Sequence, residues 1–480
     1  MHTPIFPSLR ARLAGFGRRV DSLRQATLSQ LEEFFAPILP PQLLSQADDG
    51  SNSRDRIFTI RRTFWGFIFQ VLTPNTSCRA VTLQLRGLFG LHGDQQIRSA
   101  SSAYCQARQR LPVERLEEAL RLSALAADQR SGMHGRLAGR PVKVIDATTV
   151  QLPDTEANQS RFPQPSAQKP GCGFPVMKMA ALLSLASGAI LAVARENLHW
   201  HDVRLFRRLW SCLRNGDVVL GDRAFADYVS LAQLPLQGVD LVCRNHQARK
   251  VDFRRCERRL GPHDAVFRWN KPLRRPKYLT QRQFDRLPSY ILVRVLRTQM
   301  DRPGFRTTTV TLVTTLLDAR KYPAHELSAL FLRRWRLELC FRDLKTTMRM
   351  EQLRCNSPAM VRKESLAFLI AHNLIRSVMA DAAGIYDVPL DRISFKGAVD
   401  AVRQFSAARA QARNRKQRRR LEDDLLSGLA RDRVPDRPGR REPRAVKRRP
   451  KPFPLLTRPR HDYKERPHRN RYKSTKNTSV

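Results

Sequence analysis

The chain has 480 residues, 41% of them hydrophobic, enough for two to four domains and a sizeable core. Its formal charge of +44 and pI of about 11.3 point to a polyanionic partner, with nucleic acid first and an anionic membrane surface second. The first twenty residues hold no apolar signal core, and the longest uncharged run, Met179 to Ala194, is short for a membrane span, so a cytoplasmic protein that does not enter a membrane is expected. The eight cysteines include no CxxC pair, which suits reduced thiols.

In chain order, residues 1–135 read as helical. SLRQATLSQLEEFF and PVERLEEALRLSALAADQ carry helical periodicity, and FTIRRTFWGFIFQVL is apolar enough for a core helix. Arg61, Arg62, Arg108 and Arg110 make this region basic. DNA binding is the expectation here, with a solvated basic bundle as the alternative; no specific helix-turn-helix pattern is present.

Residues 136–245 change texture. RPVKVIDATTVQLP alternates as a strand, and FPVMKMAALLSL with GAILAVAREN reads as a hairpin turning at Ser187 and Gly188. DVRLFRRLWSCL is predicted helical with Asp202 as its N-cap. A short buried strand, VVLG, follows and ends at Asp222. ADYVSLAQLPLQ is a helix capped by Asp227, and VDLVCRN is another strand. Three adjacent strands followed by alternating helix and strand imply an α/β domain with a mixed sheet. Residues 246–322 hold two strong β runs, PSYILVRVLRTQ and RTTTVTLVTTLL, and read as a β-rich insertion. Residues 323–385 contain two long helices. From 386 to 480 the chain is arginine-rich and proline-punctuated, NRKQRRR included, and is predicted to be a disordered basic tail that neutralises phosphates.

The first of those two helices is the most informative. In FLRRWRLELCFRDLKTTM, Phe331, Arg334, Glu338 and Lys345 fall within roughly 40° of one line along a helix. Leu330, Leu337, Phe341, Leu344 and Met348 form an apolar stripe beside them. A carboxylate flanked by two cations suits a divalent metal beside a phosphate backbone. Asp146, inside a core strand, buries a charge that needs a cation or donors. Asp222 closes a second strand, where sites collect in open α/β sheets. Singly, a strand-end Asp is more often a cap and a helical Glu a solvated partner. Together, Asp146, Asp222 and Glu338 suit two Mg²⁺ ions about 4 Å apart, with Mn²⁺ as a substitute.

VIDATTV, LGDRAFAD and FLRRWRLELCFRDLK resemble the three catalytic blocks of bacterial insertion-sequence DDE transposases. The type is insertion sequence 4, marked by a Tyr-Arg-Glu-Lys signature. Arg334, Glu338 and Lys345 fill three signature places, and Phe331 stands where the family has Tyr. The resemblance covers roughly residues 55 to 380. It implies an RNase H-like mixed-sheet catalytic core with a β-rich insertion between the second Asp and the Glu. It also implies Asp146, Asp222 and Glu338 as metal ligands, with Asp146 bridging both ions, and Arg334 and Lys345 as contacts to phosphates of the transposon end. In relatives an aromatic residue of the insertion stacks on a flipped base; Trp269 is the candidate here, with an ordinary structural Trp as the alternative. Lys178, which interrupts an apolar strand, is a further DNA-contact candidate, or marks the solvent side of an edge strand. The implied partner is double-stranded DNA, as transposon ends and target, bound by a homodimer. A transposase-derived DNA-binding protein without activity, or an RNase H-like endonuclease without strand transfer, are the alternatives.

Overall fold

A computed structural model of the chain describes residues 31–45, 57–90, 100–299 and 309–435, apart from 33, 133, 134, 300 and 411, and also 458, 459 and 462. Of residues 88–90, 335–338, 407 and 410 only the backbone is described. The tail beyond 435, apart from those three residues, and the first thirty residues therefore lie outside the described residues.

Ahead of the sheet lie α1 (Ile60–Leu72), α2 (Cys78–Gly90), α3 (Ser102–Arg110) and α4 (Val113–Arg130). The sheet then begins with β1 (Arg136–Leu137) and β2 (Arg140–Gln151), followed by α5 (Glu156–Arg161), β3 (Val176–Ser184) and β4 (Ile190–Asn197). After α6 (Asp202–Arg207) come β5 (Val218–Gly221), α7 (Tyr228–Gln233) and β6 (Asp240–Arg244). Next are β7 (Arg258–Gly261), β8 (Asp264–Asn270), α8 (Gln281–Asp285), β9 (Tyr290–Gln299) and β10 (Thr309–Thr314). The chain closes with α9 (Ala324–Arg333), α10 (Trp335–Arg342), α11 (Pro358–Ile385), α12 (Phe395–Ala410) and α13 (Arg415–Arg431).

The strands form one sheet in the order β4-β3-β2-β5-β6-β10-β9-β8-β7, with β1 beside β2. β2, β3 and β4 are an antiparallel meander, and β5 and β6 run parallel to β2. Three antiparallel strands continued by two parallel ones give the RNase H-like arrangement of a mixed α/β sheet. The β-rich segment adds four antiparallel strands to the same sheet, because β10 pairs with β6.

Alternation along the strands separates two cores. Val142 and Val144 of β2, Leu220 of β5 and Val242 of β6 enter one, which also takes α1, α4 and α9–α13. Ile145, Val219 and Leu241 enter the other, under α6 and α7. Both faces of β5 are therefore covered, and all four of its residues are buried. The axis of the first core is α11, a helix long and apolar enough to cross a membrane, with 89% of its most apolar stretch buried inside the protein. Its Asn373 accepts from the Ile190 amide (2.8 Å) and donates to the Ile190 carbonyl (2.9 Å), tying the helix to an edge strand. The β3–β4 turn needs Gly188, whose φ is +71°; a Cβ there would meet the Arg376 guanidinium at 2.7 Å.

Three expectations are corrected. The predicted single helix over residues 331–348 is broken by a turn at Arg334 and ends in a π-helical turn, Asp343–Thr347. Asp202 is the first residue of α6, not its cap; His201 holds that place without a side-chain bond. NRKQRRR is not part of a disordered tail. Asn414 caps α13 by accepting from Gln417, and Leu425, Leu426, Leu429 and Ala430 bury one stripe of that helix in the first core.

Candidate active site

Asp146 and Asp222 are brought level by strand register. β2 pairs in parallel with β5 as Val142↔Val218, Lys143↔Val219 and Val144↔Leu220, and the same offset continued sets Asp222 beside Asp146. Alternation puts both on the face of Val144 and Leu220, which is the face covered by α9 and α10. Gly221 permits the tight turn before Asp222, since a Cβ there would lie 2.9 Å from Phe225 Cβ and 3.1 Å from Cys243 Sγ. Asp222 begins a short 3₁₀ turn, Arg223–Phe225, yet its carboxylate makes no capping bond. Asp227 does cap its helix, accepting from the amides of Val229 and Ser230.

Asp146 is half-buried. It accepts from the Ala147 amide at 2.8 Å, and Arg334 Nη1 lies 3.8 Å from its other oxygen. Burial raises its pKa above the ordinary carboxylate value; the Ala147 amide and Arg334 oppose this, and the charges of Asp222 and Asp202 add to it. The two aspartates thus share one long cationic contact between them, and the half-buried Asp222 carboxylate has no bonded partner among the described residues. Such a donor set fits a divalent cation, which would relieve both the desolvation and the mutual repulsion. Glu338 lies in α10 one helical turn beyond Arg334. Only its backbone is described, and among the described residues no group of three candidate ligands is assembled.

The remaining candidates separate. Arg334 is 8% exposed and sits 5.6 Å from the centre of the Phe331 ring. Phe331 itself is 3% exposed in the first core, so it backs Arg334 and does not present a ring to DNA. Lys345 occupies the π-helical turn and is half-buried. Just past it, Glu351 accepts from the Gln151 amide and Leu353 donates to the Gln151 carbonyl, both at 3.0 Å, which ties this end of the helix to the strand of Asp146. Lys178 is on the other face of the sheet, between Met177 and Met179 of the first core. It donates to the Trp200 carbonyl (2.8 Å) and pairs with Asp202 (3.0 Å), so its charge is spent within the protein. Trp269, on β8, is half-buried with the Arg249 guanidinium 4.0 Å from its ring centre. It lines an open pocket of about 770 Å³ with Phe267, Tyr278, Arg249, Lys250 and Pro276. Sequence reading did not single out Arg249; the only signal was a basic residue in the first loop of the β-rich segment.

A sheet in the RNase H-like order with two acids level at neighbouring strand ends fits a polynucleotidyl transferase or nuclease. A Transposase DDE domain model matches residues 137–374. The chain is 26% identical over 451 residues to "Transposase InsG for insertion sequence element IS4" of Escherichia coli (strain K12), covering 91% of this chain and 95% of that protein. Among solved structures, the piggyBac transposase synaptic complex with hairpin DNA aligns with a TM-score of 0.39 at 10% identity, over 86% of this chain and 85% of that one. The chain belongs to the DDE transposases of the insertion-sequence-4 type. It is a DNA transposase, and enzymes of this family generally use divalent metal ions.

Proposed function

We propose that this transposase hydrolyses a phosphodiester at each end of its own insertion element and joins the freed 3′-hydroxyl to target DNA, in a cut-and-paste reaction. The observation that carries this reading is the level placement of Asp146 and Asp222 on one sheet face, with the Asp222 carboxylate unclaimed by any described residue. Asp146, Asp222 and Glu338 would hold the metal. When bound, two Mg²⁺ ions supply activation of the attacking oxygen and stabilisation of the leaving one. Asp146 would contribute to holding both ions, and Asp222 and Glu338 to holding one each.

The chain's own groups do the positioning. Arg334 lies beside Asp146 against the Phe331 ring, close to where a phosphate would enter, and Lys345 is the second cation. Both orient the scissile phosphate and favour its developing charge. Trp269 offers a ring at the wall of its pocket on which an unstacked base rests. A dimer on paired ends, working on the nucleoid in the cytoplasm, completes the reading.

The test is Mg²⁺- or Mn²⁺-dependent nicking of a duplex bearing the element's terminal repeat. Asp146→Ala, Asp222→Ala and Glu338→Ala should each abolish nicking with DNA binding retained. Cleavage surviving in any of them removes that residue from the mechanism. Pre-cut ends should yield joined product; their failure to join would indicate a nuclease without strand transfer.

A further inference from the structure

Just past Lys345, residues 348–355 tie three parts of the molecule together. They fold back on the π-helical turn: the Met348, Met350 and Glu351 amides donate to the carbonyls of Asp343 (2.9 Å), Leu344 (2.9 Å) and Lys345 (3.4 Å). On one side the Glu351 carbonyl and the Leu353 amide bond to Gln151, on the strand of Asp146. On the other side the stretch meets the N-terminal helices. Arg354 Nη1 donates to the Thr76 carbonyl in the α1–α2 turn (3.3 Å), and Arg108 of α3 donates to Cys355 Sγ (3.2 Å). Glu364 of α11 secures the far end by accepting from the Arg354 and Cys355 amides.

The chain reverses in this stretch at Arg349, whose φ is +64°. Glycine adopts that left-handed backbone freely and asparagine better than most residues, but an arginine there is uncommon. The Arg349 side chain crosses to the α1–α2 turn, where its Nη1 donates to Asn75 Oδ1 at 2.6 Å. Asn75 is itself left-handed, with a φ of +62°. Two such residues, 274 positions apart in sequence and bonded to each other, fix both turns at once. A strained backbone of this kind persists where its surroundings over-determine it. Both side chains are exposed, so core packing does not account for the arginine. Its guanidinium makes a charge-assisted bond, which holds direction better than a neutral one.

We propose that Asn75 and Arg349 form a positioning latch for Lys345. Through it the α1–α2 turn fixes the reversal at Arg349, and the reversal fixes where the backbone of Lys345 stands relative to the strand of Asp146. Neither residue touches the reacting atoms; both act through the lysine. The assignment rests on the reading of Lys345 as a contact to the scissile phosphate, given above, and adds the residues that aim it. Small displacements of such a group are costly to the reaction, because the transition state rewards only correct placement.

The experiment uses the full chain and a terminal-repeat duplex, with cleavage followed at saturating duplex. Glycine at either position keeps the left-handed backbone and removes the bond. Asn75→Gly and Arg349→Gly should therefore each slow cleavage roughly fivefold, with duplex affinity and melting temperature unchanged. The two together should be no slower than either alone. Asn75→Asp, which keeps an acceptor oxygen, should cleave at the wild-type rate. In a Lys345→Ala chain, Arg349→Gly should slow the residual cleavage no further; a merely structural role for Arg349 would not depend on Lys345. Wild-type rates in both glycine variants, losses that multiply when they are combined, or an undiminished loss in the Lys345→Ala chain overturn the latch. A loss that appears in duplex affinity overturns it as well, and makes Arg349 a DNA contact in its own right. Failure of the underlying reading looks different: Lys345→Ala would itself cleave at the wild-type rate.

Discussion

His372 shows how far burial alone can move a residue. It lies in α11, fully buried, with its ring 5.1 Å from that of Phe395. Burial, with Arg376 adding to it, lowers its pKa from 6.5 to about 3. Because the folded value is the lower one, the unfolded chain takes up a proton first as pH falls. Stability is then full above about pH 6.5 and declines toward pH 3, by up to about 1.4 kcal/mol per unit. Urea midpoints at pH 7.5 and 5.5 should therefore separate for the wild type, and His372→Leu should reduce the separation by about 1 kcal/mol. Arg294 makes the complementary case. It is fully buried, bonds both oxygens of Asp264 (2.8 and 2.5 Å) and donates to the Tyr322 carbonyl at 2.7 Å. Arg294→Met leaves an unpaired carboxylate in the β-rich part of the sheet, so thermal unfolding should show a loss of about 3 kcal/mol. Replacing Asp264 as well should recover much of it.

Among the elements, α11 ties the helical part of the first core to the edge of the sheet. Its Asn373 makes both backbone bonds to Ile190 of β4 and reaches Ser123 of α4 at 3.3 Å. Asn373→Leu would bury the Ile190 amide and carbonyl without partners. A loss of about 2 kcal/mol is expected, with faster hydrogen exchange at the Ile190 amide as the measurement that places it. The helix carrying Glu338 teaches a different lesson. Its apolar stripe was legible in the sequence, and Leu330, Phe341, Leu344 and Met348 are indeed buried. The turn at Arg334 and the π-helical turn at Lys345 were not, because periodicity near 3.6 does not register one inserted residue. The same limit hid the end of the fold: α13 looked like tail because its arginines outnumber the four apolar residues that anchor it.

For the whole molecule, the described core ends before residue 435 while the basic sequence continues. Removing residues 436–480 takes away many more cations than acids and none of the described core, so DNA affinity should fall and the slope of log K against log salt should flatten while thermal stability stays. Removing everything beyond 410 also strips Leu425, Leu426 and Leu429 from the first core, so that version should lose stability as well. A salt slope unchanged on removal of 436–480 would show that the tail touches no phosphate.

The family and the mixed-sheet class could be read from the chain alone, because hydrophobic alternation and the spacing of a signature are local properties. Which face a residue serves could not. Lys178 and Asp146 lie on neighbouring antiparallel strands, yet one is paired to Asp202 behind the sheet and the other faces α10. Phe331 occupies a signature place and is core. Those outcomes depend on register between strands far apart in sequence and on which helix covers each face, and only the assembled sheet settles either.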